Sequence, residues 1–433
     1  MHVVARRPLL AGLATALGGP AVARAQGTPG APAAASPVPA TATPAPVVGE
    51  LRLGALFPFT GPLALLGDES FRGLEIATEE RNAAGGLGGR PLRLIKGDAA
   101  DANQAVAEIR RITAGEGRVS AVFGTFASTQ ALAAGQVAEA LSLPYFELAA
   151  VADELTERGA RGVFRTCPRA ADFGRVSAEA LTTQLAPAWG VEPRSLRVAT
   201  LYEDAAYGQS VAAAQAARLR EAGITPVEML SYPPRATEIG TAMGRLRAAA
   251  PDVVLHTAHP SDVQLFFRSM REANWRPRMV MGAGGAYSLS DTARSLGEAL
   301  DGVLNVDFPP FAVNEAAAPG VGAFAESYKR RYGAEARSAH SLACCVGARL
   351  CFAALEQAGG TDRDRVRAAM LALDVAEGGT ANGWGARFND LGQNTRCRPV
   401  LSQWQDGRLV TVAPAAAALA PLRPRFGGRA AQP

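Results

Sequence analysis

Lysine is almost missing from this chain: Lys96 and Lys329 are the only two, although Lys and Arg together number 44 of 433 residues. The basic side chains are therefore arginine, and 40 Asp and Glu reduce the formal net charge to +4. Arg6, Arg7 and Arg24 fall in a segment expected to be removed, which leaves the remainder close to neutral and excludes a surface built for nucleic acid. Cysteine is scarce and odd in number, at positions 167, 344, 345, 351 and 397, so at least one is unpaired within the chain. Cys344, Cys345 and Cys351 share one apolar helical stretch, where bridges between neighbours are geometrically poor; small buried core residues are expected. A Cys344–Cys397 pair stays open in an oxidising compartment. The four His are scattered and none has zinc spacing, so no metal is expected. Catalytic signatures are missing too. Without a G-x-S-x-G elbow, a P-loop or an H-E-x-x-H pair, the chain reads as a non-enzyme that needs no cofactor.

What is there begins at the N-terminus. Arg6-Arg7 precede an apolar stretch from Leu9 to Leu17, then a Gly19-Pro20 break, then Ala23-Arg24-Ala25 before Gln26. A basic start, a short apolar run and an A-x-A site make a signal peptide over residues 1–25, too short to span a bilayer. The arginine pair fits a twin-arginine signal and an ordinary Sec signal equally, and either implies a periplasmic protein. No Cys follows the run to carry a lipid anchor, and no later apolar run is long enough to span a membrane. Residues 26–49, rich in Pro and Ala, lack the large apolar side chains of a core and read as a disordered linker; 415–433 read as a flexible tail.

Between them short apolar runs alternate with longer amphipathic stretches. Strands are expected at 51–57, 92–96, 121–123, 144–148, 197–202, 227–232, 253–257, 279–282 and 302–306. Helices are expected at 68–83, 102–114, 128–141, 173–185, 207–222, 238–249, 261–273, 320–332, 339–358 and 363–373. Asp68 reads as an N-cap after the Phe57-Pro58-Phe59-Thr60-Gly61-Pro62 loop. The glycines of Gly85-Gly86-Leu87-Gly88-Gly89 follow a helix and do not fit G-x-G-x-x-G, so they form no dinucleotide loop. Such alternation gives an α/β fold with parallel sheets covered by helices, whose ligands sit beyond the carboxyl ends of the strands.

The succession GALFPFTGPLALLGD, EERNAAGGLGGRPLRLIKGDAAD, AVFGTFASTQALAAGQVAEALSLPYFELAAVADELT, VFRTCP, VATLYEDAAYGQS, PDVVLHTAHPSDVQLFFRSMREANW and GWGARFNDLGQNTRCRPVLSQWQDGRLVTVAP resembles the periplasmic leucine/isoleucine/valine-binding protein family over residues 51–414. The resemblance implies a type I periplasmic binding fold: two Rossmann-like lobes joined by a three-strand hinge. The crossings would fall near Thr166, Val306 and Asn382. Lobe 1 would be 50–166 plus 307–382, and lobe 2 167–306 plus 383–414.

The same resemblance implies the site. Ser128 and Thr129, at the start of a helix after a strand, would take a ligand carboxylate. Backbone N–H groups at a helix N-terminus attract anions, although a Ser there is more commonly a cap for its own helix. Ala149 would offer its carbonyl to a ligand ammonium, Leu66 would touch the ligand, and Tyr207 and His259 would cover it from lobe 2. Two positions depart from the family: Val151 stands where a Thr hydroxyl holds the carboxylate, and Gly284 where an acid neutralises the ammonium. These departures predict weak binding of free Leu, Ile or Val and a preference for a small carboxylate or amide, unless Glu147 or Asp172 replaces the missing acid. Glu147 itself reads as a solvent-facing strand end. The implied partners are a small molecule and the membrane permease of an ABC importer, with the receptor a monomer; a periplasmic sensor or dehydrogenase-linked system is the alternative. The mature chain is expected to start near Gln26, and intact-mass measurement of periplasmic material checks this; a chain retaining residues 1–25 would contradict it.

Overall fold

The computed structural model describes residues 49–426. The expected signal peptide and all of the expected linker but Gly49 lie outside these residues. Twelve strands occur among the described residues: β1 Leu51–Phe57, β2 Leu92–Asp98, β3 Val122–Gly124, β4 Tyr145–Glu147, β5 Val163–Arg165, β6 Val198–Glu203, β7 Glu228–Tyr232, β8 Val253–Thr257, β9 Met279–Ala283, β10 Leu304–Asp307, β11 Val400–Gln405 and β12 Arg408–Ala413. They form two sheets. The first has the order β2-β1-β3-β4-β5 and is parallel throughout. The second has the order β12-β11-β10-β9-β8-β6-β7; its members β7-β6-β8-β9-β10 are parallel, and β11 and β12 add an antiparallel ribbon at the β10 edge.

The parallel part of each sheet therefore repeats one winding order, 2-1-3-4-5. In such a sheet the chain reverses its winding beside the first strand, and the two loops leaving the carboxyl ends there diverge to open a crevice. In the first sheet these loops follow β1 and β3; in the second they follow β6 and β8. Buried strands such as VVLHT and MVMGA, closed to water on every residue, carry apolar side chains on both faces because helices cover both sides.

Most expected elements are present within a residue or two, and the departures have local causes. The first helix spans Ala64–Ala83 rather than starting at 68, and Leu63, not Asp68, precedes its first turn. Gly67 permits this: a Cβ there would lie 2.0 Å from the Pro58 carbonyl oxygen, so only glycine lets the first turn fold back on the loop after β1. Asp68 instead pairs with Arg72 at 2.9 Å and Arg337 at 3.3 Å. The helix expected over 173–185 runs Ala170–Glu179 and then widens into a π-helical turn, Ala180–Leu185. The sequence reading missed β5, β11 and β12, and the purely parallel sheets it expected hold only for the first.

The chain leaves the first sheet after β5 and returns to pack the helix His340–Gln357 against Ala64–Ala83. Residues 392–394 still lie along β5: the Arg165 N–H donates to the Gly392 carbonyl at 2.8 Å and the Asn394 N–H to the Arg165 carbonyl at 3.0 Å. All five cysteines are buried and free, so Cys344 and Cys397 do not pair.

The expected flexible tail is a correction for residues 415–426. Gln403 and Gln405 on β11 donate their side-chain amides to the Arg423 and Pro421 carbonyls at 2.7 and 2.9 Å, and the Trp189 indole donates to the Pro424 carbonyl at 2.7 Å. Phe426 is buried against Phe267 with ring centroids 6.2 Å apart. Composition hid this segment because side chains distant in sequence hold its carbonyl groups in place.

Candidate functional site

Two runs of backbone meet at the carboxyl ends of β3 and β4, and one carboxylate organises both. Glu147, the last residue of β4, is fully buried rather than facing solvent as expected. Its Oε1 accepts the N–H groups of Phe126, Leu148, Ala149 and Ala150 at 2.9 to 3.2 Å. Its Oε2 accepts the Thr125 N–H and the Tyr145 hydroxyl, the latter at 2.9 Å. Burial pushes its pKa up, and the converging backbone N–H groups pull against that shift. Phe126 sits at φ +76°, in the left-handed region that a bulky residue rarely occupies, with its N–H held by this carboxylate. Glu147 is thus consumed in shaping the loops. Asp172 is not available as a replacement acid either, since it accepts the Arg169 N–H at 3.1 Å at the start of its own helix.

Ser128 opens the helix Ser128–Ala140, with Ala127 as the preceding cap residue and no side-chain cap bond. The commoner role for such a serine therefore does not apply. Its Oγ instead accepts the Ala152 N–H at 3.2 Å, tying the loop after β4 to the helix after β3, and its hydroxyl hydrogen remains free to donate. From the other sheet, the Tyr207 ring stacks on His259 with centroids 5.6 Å apart and its hydroxyl donates to the Ala283 carbonyl at 2.6 Å.

These residues line one cavity between the carboxyl ends of the two sheets. All eight residues singled out from the sequence lie on its wall: Leu66, Ser128, Thr129, Ala149 and Val151 from the first sheet's loops, Tyr207, His259 and Gly284 from the second's. A larger groove lies elsewhere, but its charged side chains are already paired, Arg175 with Glu179 at 3.1 Å and Arg398 with Glu377 at 3.3 Å.

The cavity also holds residues that the sequence reading passed over: Phe126, Phe173, Glu203, Asp307, Phe308 and His340. Two of these are acids, Glu203 and Asp307, and neither is among the replacements expected for the acid missing at position 284. Glu203 ends β6 and Asp307 ends β10; both are buried, and Glu203 Oε2 and Asp307 Oδ1 have no hydrogen-bond partner. Both stand at the carboxyl ends of strands, a rule that pointed to them without naming them. His340 had no such signal, because it begins a helix more than thirty residues after the last parallel strand.

Glycine at 284 has a steric reason. Its φ is +76°, and a Cβ placed on it would lie 2.3 Å from the Tyr207 hydroxyl oxygen. A side chain at 284 and this position of Tyr207 exclude each other. Electrostatics separate the two acids from their surroundings. Burial, with Asp262 and Asp204 adding repulsion, pushes Glu203 up to about 7, against the pull of the Ala205 and Gly208 N–H groups. His259 and His340 are pushed down by burial and are neutral near pH 7, with Asp262 and Asp307 respectively opposing the shift.

The Glu203 shift has a sign that can be measured. Between the usual carboxylate range and pH 7 the folded state keeps a proton that the unfolded chain has lost, so this contribution to stability fades as pH rises through about 7. Glu203→Gln removes it. Relative to the parent, the variant is expected to gain on the order of 3 kcal/mol in unfolding free energy between pH 4 and pH 8. Denaturant titrations at both pH values check this; an equal difference at the two would show that Glu203 titrates normally.

Comparison with known proteins agrees with this architecture. A family model described as periplasmic binding protein matches residues 50–408. The Leu/Ile/Val-binding protein homolog 7 of Brucella suis is 45% identical over 380 residues, covering 88% of this chain and 95% of that protein. A branched-chain amino acid transporter substrate-binding protein of Streptococcus pneumoniae, solved with isoleucine, superposes with a TM-score of 0.70 at 17% identity over 84% of this chain and 100% of that one. A solute-binding protein of an ABC transporter of R. palustris, solved with benzoate, superposes with a TM-score of 0.71 at 23% identity over 88% and 99%. Fold, strand order and a family match over most of the chain converge: this protein belongs to the periplasmic binding protein family, with the type I fold of the branched-chain amino acid receptors.

Proposed function

We propose that the protein is the periplasmic substrate-binding component of an ABC importer, taking a small carboxylate, amide or amino acid between its two lobes and presenting the closed form to a membrane permease. The observation that carries this reading is the single cavity between the carboxyl ends of two sheets of identical winding, with recognition groups from both. The relatives are named as binding proteins, which supports a receptor rather than an enzyme. Among the described residues no helix is long and apolar enough to cross a membrane.

The division of labour follows from the loops. Lobe 1 would comprise 50–166 plus 307–394, and lobe 2 167–306 plus 395–414: the third crossing, expected near Asn382, is taken past Asn394 because 392–394 pair with β5. The ligand's acidic end meets the Ser128 hydroxyl and the free N–H groups of that helix's first turn, where the helix dipole also favours negative charge. Tyr207 and His259 close over it from lobe 2. Closure is favoured by the ligand only to the extent that both lobes touch it at once.

A thermal-shift screen of the mature protein against amino acids, aliphatic and aromatic acids and amides tests the reading, since a ligand of the folded state raises the melting temperature with the logarithm of its excess. Absence of any stabilising small molecule would argue against a receptor. Ser128→Ala is expected to weaken binding of the identified ligand by about 1.5–3 kcal/mol, the range for a hydrogen bond to a charged group. Calorimetry that finds unchanged affinity and a lowered melting temperature would reduce Ser128 to a tie between its helix and Ala152.

A further inference from the structure

We propose that Glu203 meets the ligand as a neutral carboxylic acid and donates a hydrogen bond to it. The receptor would then take a carboxylate whose other polar group is an uncharged oxygen, a hydroxy or oxo acid with an apolar body, in preference to an amino acid. This rests on the receptor reading and names the ligand chemistry of that same site.

Glu203 ends β6, is 3% exposed, lines the cavity, and its Oε2 has no hydrogen-bond partner. Nothing packed around it supplies a positive charge. Asp204 follows it in the chain, Asp262 acts on it from the helix after β8, and Tyr207 and Tyr232 do so from the helix after β6 and from β7. The Tyr207 hydroxyl is committed to the Ala283 carbonyl, and the Tyr232 hydroxyl stands 3.2 Å from His256 Nε2, so both are engaged elsewhere. Among the described residues that line the cavity there is no arginine or lysine, and His259 and His340 are neutral. A buried carboxylate in such a setting takes up a proton instead of keeping its charge. The protonated group carries an O–H donor, and here it has no acceptor in the protein. Asp307, at the end of β10, repeats the arrangement: it is 2% exposed and its Oδ1 has no partner, with His340 Nε2 4.0 Å away. Burial pushes it toward the protonated form as well, with His340 and Ser288 opposing.

The rest of the wall fixes what else the ligand carries. Phe126, Phe173 and Phe308 offer apolar surface and no hydrogen bond, while Ser128 and the first turn of its helix take the one charged end. At position 284, where the resemblance implies an acid for an ammonium, a side chain would collide with Tyr207. An ammonium would therefore meet only acids that must release a proton before pairing with it. A hydroxyl or carbonyl oxygen accepts from Glu203 as it stands.

Isothermal titration of the full mature protein between about pH 6 and pH 8.5 decides it. Matched 2-hydroxy, 2-oxo, 2-amino and unsubstituted carboxylic acids, on aromatic and branched aliphatic bodies, are the probes. The tightest is expected to be a hydroxy or oxo acid, with its unsubstituted counterpart about 10-fold weaker, the scale of one lost hydrogen bond. Its affinity should fall about 30-fold across that range, because the free protein loses the Glu203 proton as pH rises through about 7. At the upper end, binding should draw close to one proton from the buffer. Glu203→Gln keeps a donor that cannot titrate, and should abolish both the pH dependence and the proton uptake. An amino acid as the tightest probe, affinity that rises or stays level with pH, or a pH dependence that survives Glu203→Gln would each overturn the proposal and leave the receptor reading intact. If Glu203→Gln does not fold, the pH profile and proton uptake of the parent protein still decide. A protein that binds none of the probes at any pH would sink the receptor reading together with the proposal.

Discussion

Backbone N–H groups from two separate loops converge on the carboxylate of Glu147, and the recognition surface of the first lobe takes its shape from that convergence. Neither loop is a regular element. The short strands β3 and β4 end beside each other, and the residues beyond them have no sheet partner for their N–H groups. One acid with two acceptor oxygens answers most of that need at once, and donors from the buried surroundings leave it little freedom to move. Phe126, Ser128, Ala149 and Val151 then face one cavity because the loops bearing them are held to a common point. Ser128 adds a second tie through the Ala152 N–H.

A comparable constraint acts at the crossings between the lobes. Arg165, at the end of β5, is fully buried; its guanidinium donates to the Ala152 carbonyl, to Thr156 at 3.2 Å and to Gln393 at 2.6 Å. Burial pushes its pKa down, with Asp153 nearby opposing the shift. Its hydrogen bonds all end on neutral oxygens, so the charge is solvated by dipoles drawn from the site loop and from the returning chain. The loop that frames the cavity and the strand that rejoins the second lobe are therefore anchored to the same side chain.

In the second lobe the decisive constraint is steric. Tyr207 reaches across to the Ala283 carbonyl and occupies the space that a side chain at 284 would need. The resemblance places an acid at 284; here the acids on the cavity wall are Asp307 and Glu203. Both end parallel strands, as expected of a fold in which every parallel strand ends at the same crevice.

Alternating apolar runs and amphipathic stretches made the α/β class and most strands legible from the chain alone, because burial on both faces of a parallel strand leaves an unbroken apolar signature. The eight wall positions were legible too, once the order of motifs pointed to the family, since loops after strands keep their place in sequence. Other features required the folded structure. The burial of Glu147, the order in residues 415–426 and the entry of Asp307 and His340 into the cavity each depend on partners distant in sequence. A carboxylate at a strand end has the same local pattern whether it faces water or gathers N–H groups, and a Pro-rich tail has the same composition whether or not two glutamines on a distant strand bind its carbonyls. Local sequence encodes which face of an element avoids water; the partners of a polar group across a cavity are decided only when the two sheets come together.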